Sequence, residues 1–454
     1  MLANSFGADS SGPPERRSDS ASARWRVIAV VAVLLLATVV RLYYVTLAVV
    51  IDPVRADASE YVAYAHNLAF EGTFGRTPAD AAPVVADSFR DPGYPLLLAL
   101  FMRAAGPEGD WYPWVLLTQA ALGAASVILA LYVGWQWLGA RYCLAASILM
   151  ALWPHLVTMP SFLLSETLYS FLLIAALAAL VRTRQTISRG WALIAGLAFA
   201  MAALTNAVAI LIAPVLALAL MTVDRTQWRL YSWVLLAWMI PVSTWQVRNA
   251  ALEHSSSSGS RVAMNLIQGS WPDYHDAYVR SVRGDPTGRS VMVTIDREVT
   301  ASQGRVSTAA SIVGKRIIGS PFEYLTWYAS KPYLLWDWRV RMGQNDVYIY
   351  PTVNSPFDTS VTWRIFIALC KALNPFLFIL AAGASVAILA RRRGVAPVSV
   401  AMVAVYSTCV HVVLQAEPRY SMPLRPLECL LAVSALAWLV RATAQLRTAK
   451  SVTR

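Results

Sequence analysis

Runs of about twenty apolar residues recur along this chain, at 27–50, 112–138, 230–247, 365–390, 397–415 and 423–440. A helix of that length matches the roughly 30 Å hydrocarbon thickness of a bilayer. A helix is also the form that pairs every backbone N–H and C=O within its own segment, as lipid demands. Two longer stretches, 142–181 and 191–222, are each interrupted near the middle, by "WPHLVTMP" and by "LTNA". Each is long enough to cross and return, so the expected fold is an all-α polytopic membrane protein with about ten spans. Composition agrees, with 57% hydrophobic and only 14% charged residues and a mean hydropathy of +0.50.

The net charge of +12 could suggest a nucleic-acid partner, but its location argues against one. The excess sits in short clusters between the apolar runs: Arg16, Arg17, Arg24, Arg26; Arg182, Arg184, Arg189; Arg225, Arg229; Arg391–Arg393; and Arg441, Arg447, Lys450, Arg454. Such clusters mark cytoplasmic loops, and the span count puts all of them on one side, with both termini inside. The expected home is the cytoplasmic (inner) membrane. The expected division is a disordered cytoplasmic tail at 1–24, a transmembrane module at 25–249, an outer region at 250–361, C-terminal spans at 362–441 and a tail at 442–454. A second outer loop covers 52–111. In 250–361 eleven Lys and Arg nearly balance ten Asp and Glu, as expected of a long translocated segment. Cys143, Cys370, Cys409 and Cys429 all fall in apolar runs, so no disulfide is expected.

Chemistry-bearing residues therefore concentrate in the outer loops. "RADASEYVAYAHNLAFEGTFGR" follows the first run and carries Asp57 and Glu60, three positions apart. Spacing alone allows a helix N-cap at Asp57 with Glu60 completing a capping box. "SFRDPGYPLLLALF" follows with Arg90 and Asp91, then "VSTWQVRNA" with Arg248, "ASKPYLLWDW" with Lys331, and "AEPRYSMPLRP" with Arg419 and Tyr420. Arg248 and Arg419 stand at outer ends of spans, where short loops disfavour positive charge.

This ordered series resembles the GT-C glycosyltransferases, in the branch of the protein O-mannosyltransferases and the lipid A aminoarabinose transferases (glycosyltransferase 39-like). "WPHLVTMPSFLLSETLYSFLL" is similar to their third and fourth span hairpin. The chain departs from that pattern where Ala58, not a second acid, follows Asp57, and where "LTNAVA" replaces a Thr-Arg-Pro element. The second acid could be Glu60, Asp87 or Asp91.

The resemblance implies a GT-C type all-α fold with juxtamembrane helices and outer loops. It also implies a polyprenyl-phosphate-linked sugar donor and a lipid, glycan or protein acceptor. Transfer then needs a carboxylate to take the acceptor proton and cations to hold the leaving phosphate. Asp57 is the implied base, with Glu60 as cap or support. Arg90, Asp91, Arg248, Lys331, Arg419 and Tyr420 are implied donor phosphate or sugar contacts. Against these stand interfacial snorkelling for Arg248 and Lys331 and an aromatic belt role for Tyr420. The five histidines show no ligand spacing, so no metal site is indicated and no cofactor is required, with a divalent metal left open. A lipid-linked glycan polymerase or ligase, or a flippase of lipid-linked sugars, would share the composition. The flippase would place charges within its spans.

Overall fold

The computed structural model describes residues 16–78, 83–252, 258–343 and 346–452. It is helical almost throughout. Helix α1 (Arg16–Leu47) leads into a two-residue strand β1 (Val49–Val50), and α2 (Asp57–His66) and α3 (Gly93–Ala105) build the segment expected to be the first outer loop. The bundle continues with α4 (Tyr112–Gly134), α5 (Ala140–Leu152), α6 (Pro154–Thr158), α7 (Glu166–Thr186), α8 (Arg189–Thr205), α9 (Ile212–Val223) and α10 (Trp228–Ala250). The segment expected to be the second outer region holds α11 (Ser258–Gly269), α12 (Tyr274–Val282), α13 (Pro286–Ala301), α14 (Val306–Gly319) and α15 (Pro321–Leu335). Strand β2 (Thr352–Val353) and α16 (Pro356–Thr359) precede the last helices, α17 (Val361–Arg391), α18 (Val395–Val413), α19 (Pro418–Ser421) and α20 (Arg425–Val452).

Among the described residues six helical segments are long and apolar enough to cross a membrane, and the bent pair formed by α5 and the segment from Pro154 to Ser161 would make a seventh. Of the remaining expected crossings, α8 and the segment Ala207–Val223 fall below span length, and α10, 23 residues long, falls outside the set. Both interruptions have local causes. Trp153 precedes Pro154 and adopts an extended backbone (φ −59, ψ 120), which ends α5 and turns the chain by 55°. Asn206 is extended after α8, and its side chain accepts from the Val208 N–H to start a new turn. The first helix begins at Arg16, so part of the expected tail at 1–24 is helical. Residues 1–15 lie outside the described residues.

The core is made of small and branched residues, with Ala37, Ala124, Ala195, Leu173 and Val400 among those buried. Without water to drive association inside lipid, close backbone approach and dispersion hold such helices together. Gly196 shows the demand: a Cβ there would sit 2.3 Å from the Val234 carbonyl oxygen, so α8 and α10 meet backbone to backbone. A buried Arg425–Glu428 pair, each 1% exposed, fastens α20 to α17 through Asn374 and to the preceding outer segment through the Asp337 carbonyl.

The bundle has two chemically different ends. At one, Arg184 pairs with Asp224, Tyr132 donates to Gln185, and Arg26 and Arg391 lie over Trp135 and Trp438. Basic residues of α1, α7 and α17 thus share that end. At the other, β1 pairs antiparallel with β2, and helices α11 to α15 gather. Helices α11, α13 and α14 pack around Ala263, Ile267, Tyr274, Ile295, Ala309 and Val313 as a small apolar unit. The run "EHSSSSGSR" at 253–261 reads in the sequence as a flexible connector, yet residues 258–261 are the start of α11, while residues 253–257 lie outside the described residues.

Candidate active site

Helix α2 owes its placement to its apolar side. Ala58, Tyr61 and Ala65 are buried against α3, with Tyr61 edge-on to Tyr94. The residue before it, Ala56, takes φ 48, an unusual backbone for a residue with a side chain. No side chain caps this helix, so the Asp57–Glu60 capping box is not formed and both carboxylates are free for other partners.

Those partners are arginines from distant segments. Arg90 donates from Nη2 to Asp57 Oδ1 at 2.6 Å and from Nε to Glu60 Oε2 at 2.5 Å. Arg419 donates from Nη2 to Asp57 Oδ2 at 2.7 Å and from Nε to Glu166 Oε1 at 2.5 Å. Each oxygen of Asp57 therefore meets one guanidinium, and each guanidinium is anchored by a second acid. Burial by itself would raise the Asp57 carboxyl, but Arg419 and Arg90 outweigh it and hold the group well below the usual carboxylate range. Tyr61 lies beneath Arg90, its ring 5.1 Å from the guanidinium carbon, and Tyr420 stacks on His411 at 5.1 Å and 12°.

These groups line a cavity of about 580 Å³ that Arg90, Asp57, Glu166, Arg419 and Tyr420 share with residues of α11 and α12. Asp91 also lines it, accepting from Arg261 at 2.6 Å and from the Ala207 N–H at 3.1 Å. Asp91 is thus held by the turn after α8. Gly93 permits that approach, since a Cβ there would fall 2.3 Å from Thr205 Oγ1. Asp87, another candidate for second acid, is bound instead by the Tyr64 hydroxyl and the Phe89 N–H.

Two expected donor contacts lie elsewhere. Arg248 is not on the cavity wall: it donates to the Asp87 and Phe74 carbonyls and packs over Trp245, fixing the first outer loop to the end of α10. Lys331 is 0% exposed and donates to the Gly269 and Leu414 carbonyls, tying the end of α11 to the end of α18. The unpaired C-terminal carbonyls of those two helices attract a cation, which accounts for its position. Burial lowers the Lys331 ammonium to about 7.

Three cavity residues were not put forward as site residues from the sequence. Glu166 stands in the hairpin motif, but nothing local shows that it meets Arg419. Arg261 faces Asp91 across 170 positions. Glu417, 2% exposed and two residues before Arg419, is raised by burial to about 7. Its place in "AEPRY" was the signal that could have found it. Among the described residues no group of three or more His, Cys, Asp or Glu side chains converges to hold a metal ion. The acids around Asp57 are engaged by arginine.

No family model matches the chain, and no curated protein does. Solved structures do. The apo oligosaccharyltransferase of Archaeoglobus fulgidus superposes with a TM-score of 0.51 at 12% identity, over 94% of this chain and 52% of that one. The same enzyme tethered through a disulfide to an acceptor peptide with an NVT sequon gives 0.51 at 12% identity, over 93% and 50%. The chain thus spans about half the length of that enzyme. ArnT from Cupriavidus metallidurans bound to undecaprenyl phosphate is 16% identical over 88% of this chain and 77% of that one, with a TM-score of 0.37, too loose to bear on the fold. The chain has a GT-C type membrane fold.

Proposed function

We propose that this chain is an integral-membrane, inverting glycosyltransferase that moves a sugar from a polyprenyl-phosphate donor to a hydroxyl of a lipid, glycan or protein acceptor. The observation that carries the reading is the pair of guanidinium groups, Arg90 and Arg419, meeting on Asp57 at the wall of a cavity. That cavity opens at the end of the bundle opposite the basic clusters. Under the positive-inside rule the clusters face the cytoplasm and the cavity faces outward. A lipid-anchored donor fits that place, because its chain stays in the membrane while its phosphate reaches the interface.

The chemistry follows from the charges. The acceptor O–H gives its proton to a carboxylate as its oxygen bonds to the sugar C1. The C1–O bond to phosphate breaks with inversion, and the electron pair leaves on the polyprenyl phosphate. Arg90 and Arg419 suit that phosphate, since each presents a planar fork and can neutralise charge as it develops. Glu60 and Glu166 engage the Nε atoms, which keeps both forks aimed while their Nη2 atoms exchange carboxylate for phosphate. Asp57, released from two cations, then regains ordinary basicity at the moment when a base is needed. The fold superposition supports this reading at the level of architecture.

The test is transfer from labelled polyprenyl-phosphate sugars into a membrane extract by purified protein. Wild type should transfer label, and Asp57→Asn should lose about 100-fold or more in rate. Undiminished transfer by a folded Asp57→Asn protein would remove Asp57 as base. Absence of transfer from every donor would point to a transporter.

A further inference from the structure

The cavity wall contributed by α11 has a composition unlike the rest of the site. Arg261, Asn265 and Gln268, at positions i, i+4 and i+7, all line the cavity, while Ala263 and Ile267 on the opposite side of the helix are fully buried in the outer helical unit. Arg261 is engaged by Asp91, but neither side-chain amide of Asn265 or Gln268 has a hydrogen-bond partner among the described residues. Each amide presents a donor and an acceptor side by side, a match for neighbouring hydroxyls. Tyr274 and Tyr278, their ring centroids 6.4 Å apart, form an aromatic side of the same cavity, against which the C–H face of a sugar can rest.

Resting on the lipid-phosphate reading above, we propose that α11 and the start of α12 form the subsite for the donor's sugar ring, and that the ring is uncharged. The two amides read hydroxyls, and the tyrosines take the ring's apolar face. The charge on this wall is already balanced, Arg261 by Asp91, and Glu417 beside Tyr274 is 2% exposed and accepts from the Met342 N–H, so a carboxylate or ammonium on the sugar would find no free counter-ion there. Lys331 holds this wall in register by clamping Gly269, the residue after Gln268, to the end of α18.

The test compares binding of undecaprenyl phosphate with binding of the same lipid carrying glucose, mannose, arabinose or glucuronate, in wild type and in Asn265→Leu/Gln268→Leu. At least one neutral glycolipid should bind wild type about tenfold more tightly than the bare phosphate, and the double variant should lose that excess while keeping its affinity for the bare lipid. Tighter binding of the glucuronate form than of every neutral form would overturn the uncharged class. Equal weakening of bare and sugar-bearing lipids in the variant would make the amides structural and overturn the subsite, as would wild type showing no preference for any glycolipid over bare phosphate. If wild type binds none of the lipids while its melting temperature is normal, the lipid-phosphate reading itself fails.

Discussion

Arg419 donates from Nη2 to Asp57 at 2.7 Å, joining residues 362 positions apart in the sequence. Arg90 engages the other oxygen of the same carboxylate at 2.6 Å. Asp57 is therefore an internal anion occupying the two guanidinium groups that a phosphate would need. Removing its charge should vacate them. Asp57→Asn is expected to bind polyprenyl phosphate as tightly as wild type or up to about tenfold more tightly, measured by titration in detergent or nanodiscs, while its transfer rate falls by about 100-fold or more. A large loss of lipid affinity would show that Asp57 holds the arginines in place rather than competing for them.

Lys331 supplies the contrasting case of a cation that serves the scaffold. Lys331→Met would leave the partly buried Leu414 carbonyl without its donor and the Gly269 carbonyl with the Trp327 Nε1–H alone, at a cost of about 1–3 kcal/mol of stability, read as a fall in melting temperature. Affinity for undecaprenyl phosphate should stay within about twofold of wild type. A tenfold loss of that affinity with unchanged melting would return Lys331 to the donor site.

Glu417 gives a pH dependence whose sign can be worked out. Burial raises its carboxyl from 4.5 to about 7, so between those values the folded protein keeps a proton that the unfolded chain has released. Stability must then fall as pH rises from about 4.5 to 7 and level off above. His275, lowered by burial to about 4, works in the opposite sense between about 4 and 6.5, so the wild-type curve alone mixes the two. The difference between wild type and Glu417→Gln isolates the carboxyl. Denaturation midpoints at pH 5, 6, 7 and 8 should show the variant gaining relative stability as pH rises. A constant difference would mean that Glu417 titrates normally.

The orientation of the bundle can be read directly. In a cysteine-free background, a cysteine at Glu108, exposed between α3 and α4 at the cavity end, should react with an impermeant maleimide in intact spheroplasts. One at Gly190, exposed at the start of α8 at the basic end, should react only after permeabilisation. The reverse pattern would turn the cavity toward the cytoplasm and remove the lipid-linked donor.

The sequence by itself determined the class of fold and the two faces of the bundle. Long apolar runs can exist in lipid only as helices, and charge placement along them survives any detail of packing. Trp153–Pro154 and Asn206 announced their breaks because pre-proline sterics and asparagine caps act over a few residues. The ordered outer motifs put Asp57, Arg90 and Arg419 forward together. Only the tertiary structure decided which charges meet. Arg248 and Lys331 looked like equivalent outer cations, yet one braces a loop and the other closes two helix ends. Glu166, ordinary in its own helix, turned out to hold Arg419, and Asn265 and Gln268 had no signal beyond amphipathic spacing. Coulomb and hydrogen-bond partners are set by separation in space, and a separation of 2.7 Å across 362 residues leaves no periodicity in the chain to read.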